Sequence, residues 1–226
     1  MENIIFDFIS RYITLTELEE KEFIKLNTFK SFKKGTLLLK EGELSDECYF
    51  ILKGCLRSFY IIDGEEKTTE FYTELEGVNP HCVVDKKPSS YYIACVEDCI
   101  LTIGTPEMEA VMFEKFPKFE ILFRKLSEEL LVKSQTSFDD YKTSSPEQRY
   151  LNLQKSRPDL IQRIPQRQLA SFLGIKPQSL SRIRARILEK EKSYLKKEHL
   201  KAVIDKTFQM DEIIEAHSVK DLANTL

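Results

Sequence analysis

The sequence predicts an α+β protein with three parts: an N-terminal antiparallel β-barrel or jelly roll, a long amphipathic helix, and a C-terminal helical module. Three observations carry that prediction. Between Thr28 and Ile103, short aromatic and β-branched runs are punctuated by Gly35, Gly42, Gly54, Gly64 and Gly77, a recurrence of about ten residues that fits an all-β unit. Phe119, Leu122, Phe123, Leu126 and Leu130 then recur at helical intervals. The segment LASFLGIKPQSLSRIRARI finally sets a glycine and a proline between two runs of helical periodicity.

The elements follow in chain order. Residues 1–27 read as helical, with Leu15, Leu18, Phe23 and Leu26 near one face and Thr14 or Thr16 as the capping residue. In the β unit, Asp63-Gly64 between FYII and TTEFY is a hairpin turn, because glycine tolerates the positive φ that a tight turn needs. Cys95 and Cys99 are read on one strand with their side chains on one face. That placement fits small apolar residues of a core better than a thiol sensor. The stretch from Thr105 to Tyr141 returns to helical periodicity, and its apolar stripe must be buried against something. Pairing with a second copy of the chain is the favoured reading, and packing on its own barrel is the other. Ser144 or Ser145 caps the next helix, with Pro146 at its first position.

In the segment around Gly174, the chain reads as helix, turn, helix. Gly174 ends the first helix where a left-handed residue is needed, and Pro177 suits the first turn of the second. Leu169, Ala170, Leu173, Ile175, Leu180 and Ile183 form a small core, while Gln178, Ser181, Arg182 and Arg186 lie on the opposite face. Glutamine and arginine make bidentate bonds to base edges, and serine, lysine and arginine bind phosphates. The candidate DNA-contacting residues are therefore Gln178, Ser179, Ser181, Arg182 and Arg186, with Lys176 and Arg167 as phosphate partners. Charge agrees: Tyr141 to Leu200 holds fourteen Lys and Arg against five Asp and Glu, in a chain of net charge −3. A basic module on an otherwise acidic chain is suited to a polyanion.

The order of these parts resembles the Crp/Fnr superfamily of transcription regulators over about residues 10–190. In the β unit the resemblance lies in KKGTLLLKEGELSDECYFILKGCLRSFY, and at the C-terminus in LASFLGIKPQSLSRIRARI. It implies a cyclic-nucleotide-binding-like sensor barrel over 1–115, a dimerisation helix over 116–143, and a winged-type helix-turn-helix domain over 144–190, followed by an atypical tail over 191–226. Phe119, Leu122, Phe123, Leu126 and Leu130 are the expected dimerisation residues. The implied partners are double-stranded DNA, a second copy and RNA polymerase, with no membrane. Arg182 matches a base- or phosphate-contacting arginine and Gln178 a base-reading position, and a homodimer implies a two-fold related site.

The chain departs from the cyclic-nucleotide binders of that family. Their Gly-Glu and Arg-Ser pairs are missing from EGVNPHCVVDKKPSSYY, where Pro88 precedes Ser89 in place of the arginine. Cyclic AMP is not expected as a ligand, nor is any cofactor. Another effector is left open, with Lys87, Ser89 and Ser90 as the nearest ligand candidates. No cysteine cluster stands near the N-terminus, since Cys48 is the first cysteine. The tail segment KAVIDKTFQMDEIIEAHSV resembles the C-terminal segment of zinc-type alcohol dehydrogenases and quinone oxidoreductases over about twenty residues. It carries none of their cofactor or catalytic motifs, and reads either as a helix near Met210–Val219 or as a fusion scar.

Other classes fit less well. The three histidines, His81, His199 and His217, are scattered, His81-Cys82 lacks further ligands, and GxGxxG is absent, so an enzyme is not expected. Five cysteines without a CxxC pair, and a first segment carrying Glu2, Asp7 and Arg11, read as cytoplasmic. The competing function is a small-molecule-binding module with a vestigial or masked helix-turn-helix.

Overall fold

The computed structural model describes residues 2–26, 28–190 and 192–193. Apart from residues 192–193, the expected tail over 191–226, with its helix near Met210–Val219, lies outside them. The chain divides into two compact units, Met1–Lys176 and Pro177–Leu226.

In the first unit, helices α1 (Glu2–Ile9) and α2 (Glu17–Leu26) precede the strands. The helical start is thus broken, and α2 begins at a capping box. Thr16 Oγ1 accepts from the Glu19 amide at 3.4 Å, and Glu19 accepts from the Thr16 amide at 2.7 Å. Among the described residues, eight strands then form two antiparallel sheets. One orders β1 (Thr28–Phe32), β8 (Cys99–Gly104), β3 (Cys48–Lys53) and β6 (Gly77–Val78). The other orders β2 (Leu37–Leu39), β7 (Tyr92–Cys95), β4 (Leu56–Ile62) and β5 (Glu65–Tyr72). The expected barrel or jelly roll is this sandwich. Its interior is filled by Leu39, Tyr49, Ile51, Leu56, Ile93 and Leu101, contributed by both sheets. The β4–β5 hairpin turns at Asp63 and Gly64, with φ of 52° and 75°, and pairs Ile62 with Glu65.

Cys95 and Cys99 do not share a strand. Cys95 ends β7 in one sheet and Cys99 opens β8 in the other, because residues 96–98 carry the chain between sheets. Both are buried, as is Cys55. Burial pushes the Cys55 thiol up to about 12, the behaviour of a thiol in an apolar core.

Helices α3 (His81–Asp85), α4 (Pro106–Lys115), α5 (Lys118–Thr143), α6 (Pro146–Ser156), α7 (Pro158–Arg163) and α8 (Gln166–Phe172) complete the unit. Thr105 and Ser145 cap α4 and α6, each with proline in the first turn. On α5, Phe119 and Leu122 are buried beside Ile5, Phe8, Phe23, Leu52 and Met112, and Leu126 packs against the same cluster. The Phe23 and Phe119 rings stack at 5.6 Å. This corrects the expected dimerisation stripe. Three of its five residues serve their own protomer, because α1, α2 and α4 supply apolar partners that periodicity on α5 cannot reveal. Of that set, Phe123 and Leu130 keep exposed surface, and Leu131, Phe138 and Tyr141 are exposed farther along the helix.

In the second unit, residues 177–190 form one helix, α9.

Candidate nucleic-acid interface and effector cavity

The end of α8 is built around Gly174. Its φ is +69°; the Ile175 amide donates to the Ala170 carbonyl and the Gly174 amide to the Ser171 carbonyl, both at 3.0 Å. This is a Schellman closure with glycine at the left-handed position. A Cβ on Gly174 would stand 2.8 Å from the Tyr141 hydroxyl, so α8 ends against the last turns of α5. Arg149 ties the same two ends together. Its guanidinium donates to the carbonyls of Tyr141, Ser144 and Leu173 at 2.9–3.1 Å and lies 4.6 Å from the Tyr141 ring centre. Lys176 and Arg167 are exposed.

On α9, Leu180, Ile183 and Ile187 are buried, while Gln178, Ser179, Ser181, Arg182 and Arg186 are exposed. Gly174 does mark a left-handed helix end and the apolar positions of α9 do turn inward. The polar residues share a solvent-facing surface, as the 100° step of a helix requires.

The β-sandwich carries a half-open cavity of about 390 Å³ with a largely polar set of lining side chains, Ser58, Tyr60, Thr69, Glu70, Tyr72, Asn79, His81 and Tyr91, flanked by Leu130, Lys133 and Ser134 of α5. Burial raises the Glu70 carboxyl above its usual range, against the opposing pull of Lys133 and Arg157. The loop residues named from the sequence do not line this cavity. Lys87 and Ser90 are exposed. Ser89 is buried, and its hydroxyl donates to the Tyr91 carbonyl at 2.8 Å while accepting from the Tyr91 amide at 3.3 Å. Its capacity is spent on a local turn. The lining was not foreseen because residues from β4, β5, the segments after β6 and before β7, and helices α3 and α5 converge only once the sheets have assembled, and no single segment carries the pattern.

Two further arginines escaped sequence reading. Arg157, between α6 and α7, donates to the Phe71 carbonyl at 2.9 Å and Thr73 Oγ1 at 3.2 Å, and pairs with Glu70 and Glu76. Arg163 forks onto Glu74 at 2.8 and 2.9 Å and also meets Glu97. Both hold α7 to the sandwich, across more than sixty residues of sequence. Among the described residues, no group of three or more His, Cys, Asp or Glu is arranged to hold a metal ion, and no helix is long and apolar enough to cross a membrane.

The first unit is thus a β-sandwich followed by a long helix and three shorter ones, and the second holds α9. Residues 29–112 match the cyclic nucleotide-binding domain family, and between 73% and 79% of the chain shares its fold with three solved structures. It is similar to a CooA mutant from Carboxydothermus hydrogenoformans, at 15% identity over 79% of this chain and 87% of that one, with a TM-score of 0.62. It is similar also to CLP, a c-di-GMP responsive global regulator of Xanthomonas campestris, at 13% identity over 78% and 93% with a TM-score of 0.61. FixK2 from Bradyrhizobium japonicum matches at 13% identity over 73% and 86%, with a TM-score of 0.58. No match was found among curated proteins.

Proposed function

We propose that the chain is a sequence-specific DNA-binding transcription regulator, cytoplasmic and dimeric, that does not take cyclic AMP through an arginine–serine pair. The observation that carries this reading is α9: three apolar residues buried on one side, and Gln178, Ser181, Arg182 and Arg186 exposed on the other. With Gly174 closing α8 just before it, α8 and α9 read as the first and the recognition helix of a helix-turn-helix. Similarity to regulators supports the class, and RNA polymerase is the further partner it implies. In a selection of bound duplexes from a random pool, the chain is expected to recover a two-fold related motif. Arg182→Ala is expected to cost about 1–3 kcal/mol on that motif if the guanidinium reads a base. Lys176→Ala is expected to weaken binding evenly across sequences and to lower the salt slope. Unchanged affinity in both variants on the recovered motif argues against the assignment.

The dimer seam is read from what α5 leaves uncovered. Leu131 and Phe138 stand seven residues apart and are about 60% exposed, and Ser127, Ser134 and Tyr141 fall between and beyond them at the spacing of a two-helix seam. Small serines allow close approach of a second helix. Leu131→Asp with Phe138→Asp is expected to give a monomer in sedimentation velocity while helical content stays unchanged, since neither side chain supports its own protomer's core. A dimer that persists in the double variant overturns this seam.

The effector is assigned to the polar cavity of the sandwich rather than to Lys87, Ser89 and Ser90. Ser89 is engaged by Tyr91, and Pro88 offers no guanidinium for a cyclic phosphate.

A further inference from the structure

Strand β5 is the outer strand of its sheet, and α8 lies against it. Ser171 Oγ accepts from the Thr68 amide at 2.9 Å and donates to the Glu66 carbonyl at 2.8 Å, filling two main-chain positions that an outer strand otherwise offers to solvent. Phe172 meets Phe71 edge to face at 5.3 Å. Arg167, one helical turn before Ser171, lies on the same side of α8. The hairpin opposite carries Asp63 and Glu65. Lys67 chiefly holds the Glu65 carboxyl below its ordinary range, and Lys176 and Arg167 add a smaller pull. Glu66 is engaged elsewhere, paired with buried Arg57, which also lies 4.0 Å from the Phe59 ring centre.

We infer that the β4–β5 hairpin is an autoinhibitory mask, an acidic ribbon occupying the side of α8 that would otherwise lie along a DNA phosphate backbone. This rests on the helix-turn-helix reading above. In that motif the first helix crosses the backbone, and serine and arginine are phosphate-binding side chains. Here the Ser171 hydroxyl is engaged by strand backbone, and Glu65 of the hairpin lies within electrostatic range of Arg167 and Lys176. Duplex and hairpin cannot both hold Ser171. The ion pairs of Arg157 with Glu70 and Glu76, and of Arg163 with Glu74 and Glu97, keep α7 and so the start of α8 on the sandwich. Glu70 also lines the polar cavity, which places one end of this attachment within reach of an effector.

The test uses the full chain and a random pool of duplexes, with amide exchange at Thr68 as the report of docking. Ser171→Ala removes both hydrogen bonds while keeping a good helix former. Asp63→Asn with Glu65→Gln removes the hairpin charge at positions where the turn accepts asparagine. Glu17→Gln with Glu114→Gln is the charge-matched control on α2 and α4. Faster Thr68 exchange in Ser171→Ala is expected, together with about tenfold tighter duplex binding in it and in the hairpin variant, and no change in the control. Faster exchange with unchanged or weaker binding overturns the mask and leaves the DNA-binding reading standing. An equal gain in the control overturns it as well, since net charge then suffices. Faster exchange with no duplex bound by any form, wild type included, overturns the DNA-binding reading and the mask with it.

Discussion

Gly54→Ala is expected to destabilise the sandwich by about 2–5 kcal/mol. Gly54 joins β3 to β4 with a φ of +104°, and an added Cβ would meet Cys99 Sγ at 2.6 Å, the Asp98 carbonyl oxygen at 2.8 Å and Cys99 Cα at 2.9 Å. The conformation alone costs a side-chain-bearing residue roughly 1–2 kcal/mol. The clash adds about 1–3 kcal/mol, the scale of overpacking in a filled core. Two of the three obstructing atoms are main chain, in the crossing from β7 to β8, and cannot swing aside. That crossing is also fixed from outside, where Asp98 accepts from the Lys34 amide at 2.9 Å and pairs with Lys33 at 2.7 Å. The Gly54 amide itself donates to Glu74 at 2.8 Å, the carboxylate that Arg163 grips, so a shift of Gly54 also reaches the attachment of α7.

Urea denaturation followed by circular dichroism measures the loss, and two companions decide its cause. Gly64→Ala shares a positive φ of 75° but meets nothing within 4 Å, so it is expected to lose only the conformational part. Adding Cys99→Ala to Gly54→Ala is expected to recover little, because the main-chain contacts remain. A full recovery in that double variant would place the whole effect in the sulfur contact and overturn the account.

Much of the fold was legible because the information was local. The Asp63-Gly64 turn, the Thr16 box, the Ser145 cap with Pro146 and the Gly174 helix end each depend on a few adjacent residues. The same holds for α9, where a 100° step separates Leu180, Ile183 and Ile187 from the polar side. What failed was information carried between segments. Periodicity established that α5 has an apolar stripe but not its partner, and α1 and α2, more than ninety residues earlier, supply it in the protomer itself. Cys95 and Cys99 were assigned to one strand because three intervening residues look too few for a change of sheet, yet residues 96–98 make that change. Arg149, Arg157 and Arg163 carried no local mark at all: each looks like a solvated cation of a basic module, and each is committed to carbonyls or carboxylates of a distant element. The polar cavity is of the same kind, since Tyr60, Thr69 and Tyr72 come to line one pocket with Lys133 only after the sheet and α5 have assembled.

Arg149→Met is expected to cost about 2–4 kcal/mol, more than its partly exposed position on α6 suggests. Its two terminal nitrogens reach three carbonyl oxygens: Tyr141 in the last turn of α5, Ser144 at its end, and Leu173 at the end of α8. Carbonyls at helix ends have no intrahelical donor, and a cation is favoured there by the aligned peptide dipoles. Methionine keeps the aliphatic length and removes every donor, leaving the acceptors short in a region closed by Tyr141 and Gly174. Arg149→Lys separates the contributions. Lysine restores the charge but not the planar fork or the stacking at 4.6 Å on Tyr141, so the stability order expected in urea is arginine, then lysine, then methionine. Amide exchange at Gly174 and Ile175, whose hydrogen bonds close α8, is expected to rise in the same order. Lysine as stable as arginine would mean that charge near two helix ends is enough, and the fork would then have no part in joining α5 to α8. If lysine falls well short, the end of the long helix and the end of α8 are fixed by one guanidinium, and a displacement of α5 at Tyr141 is carried to the turn at Gly174.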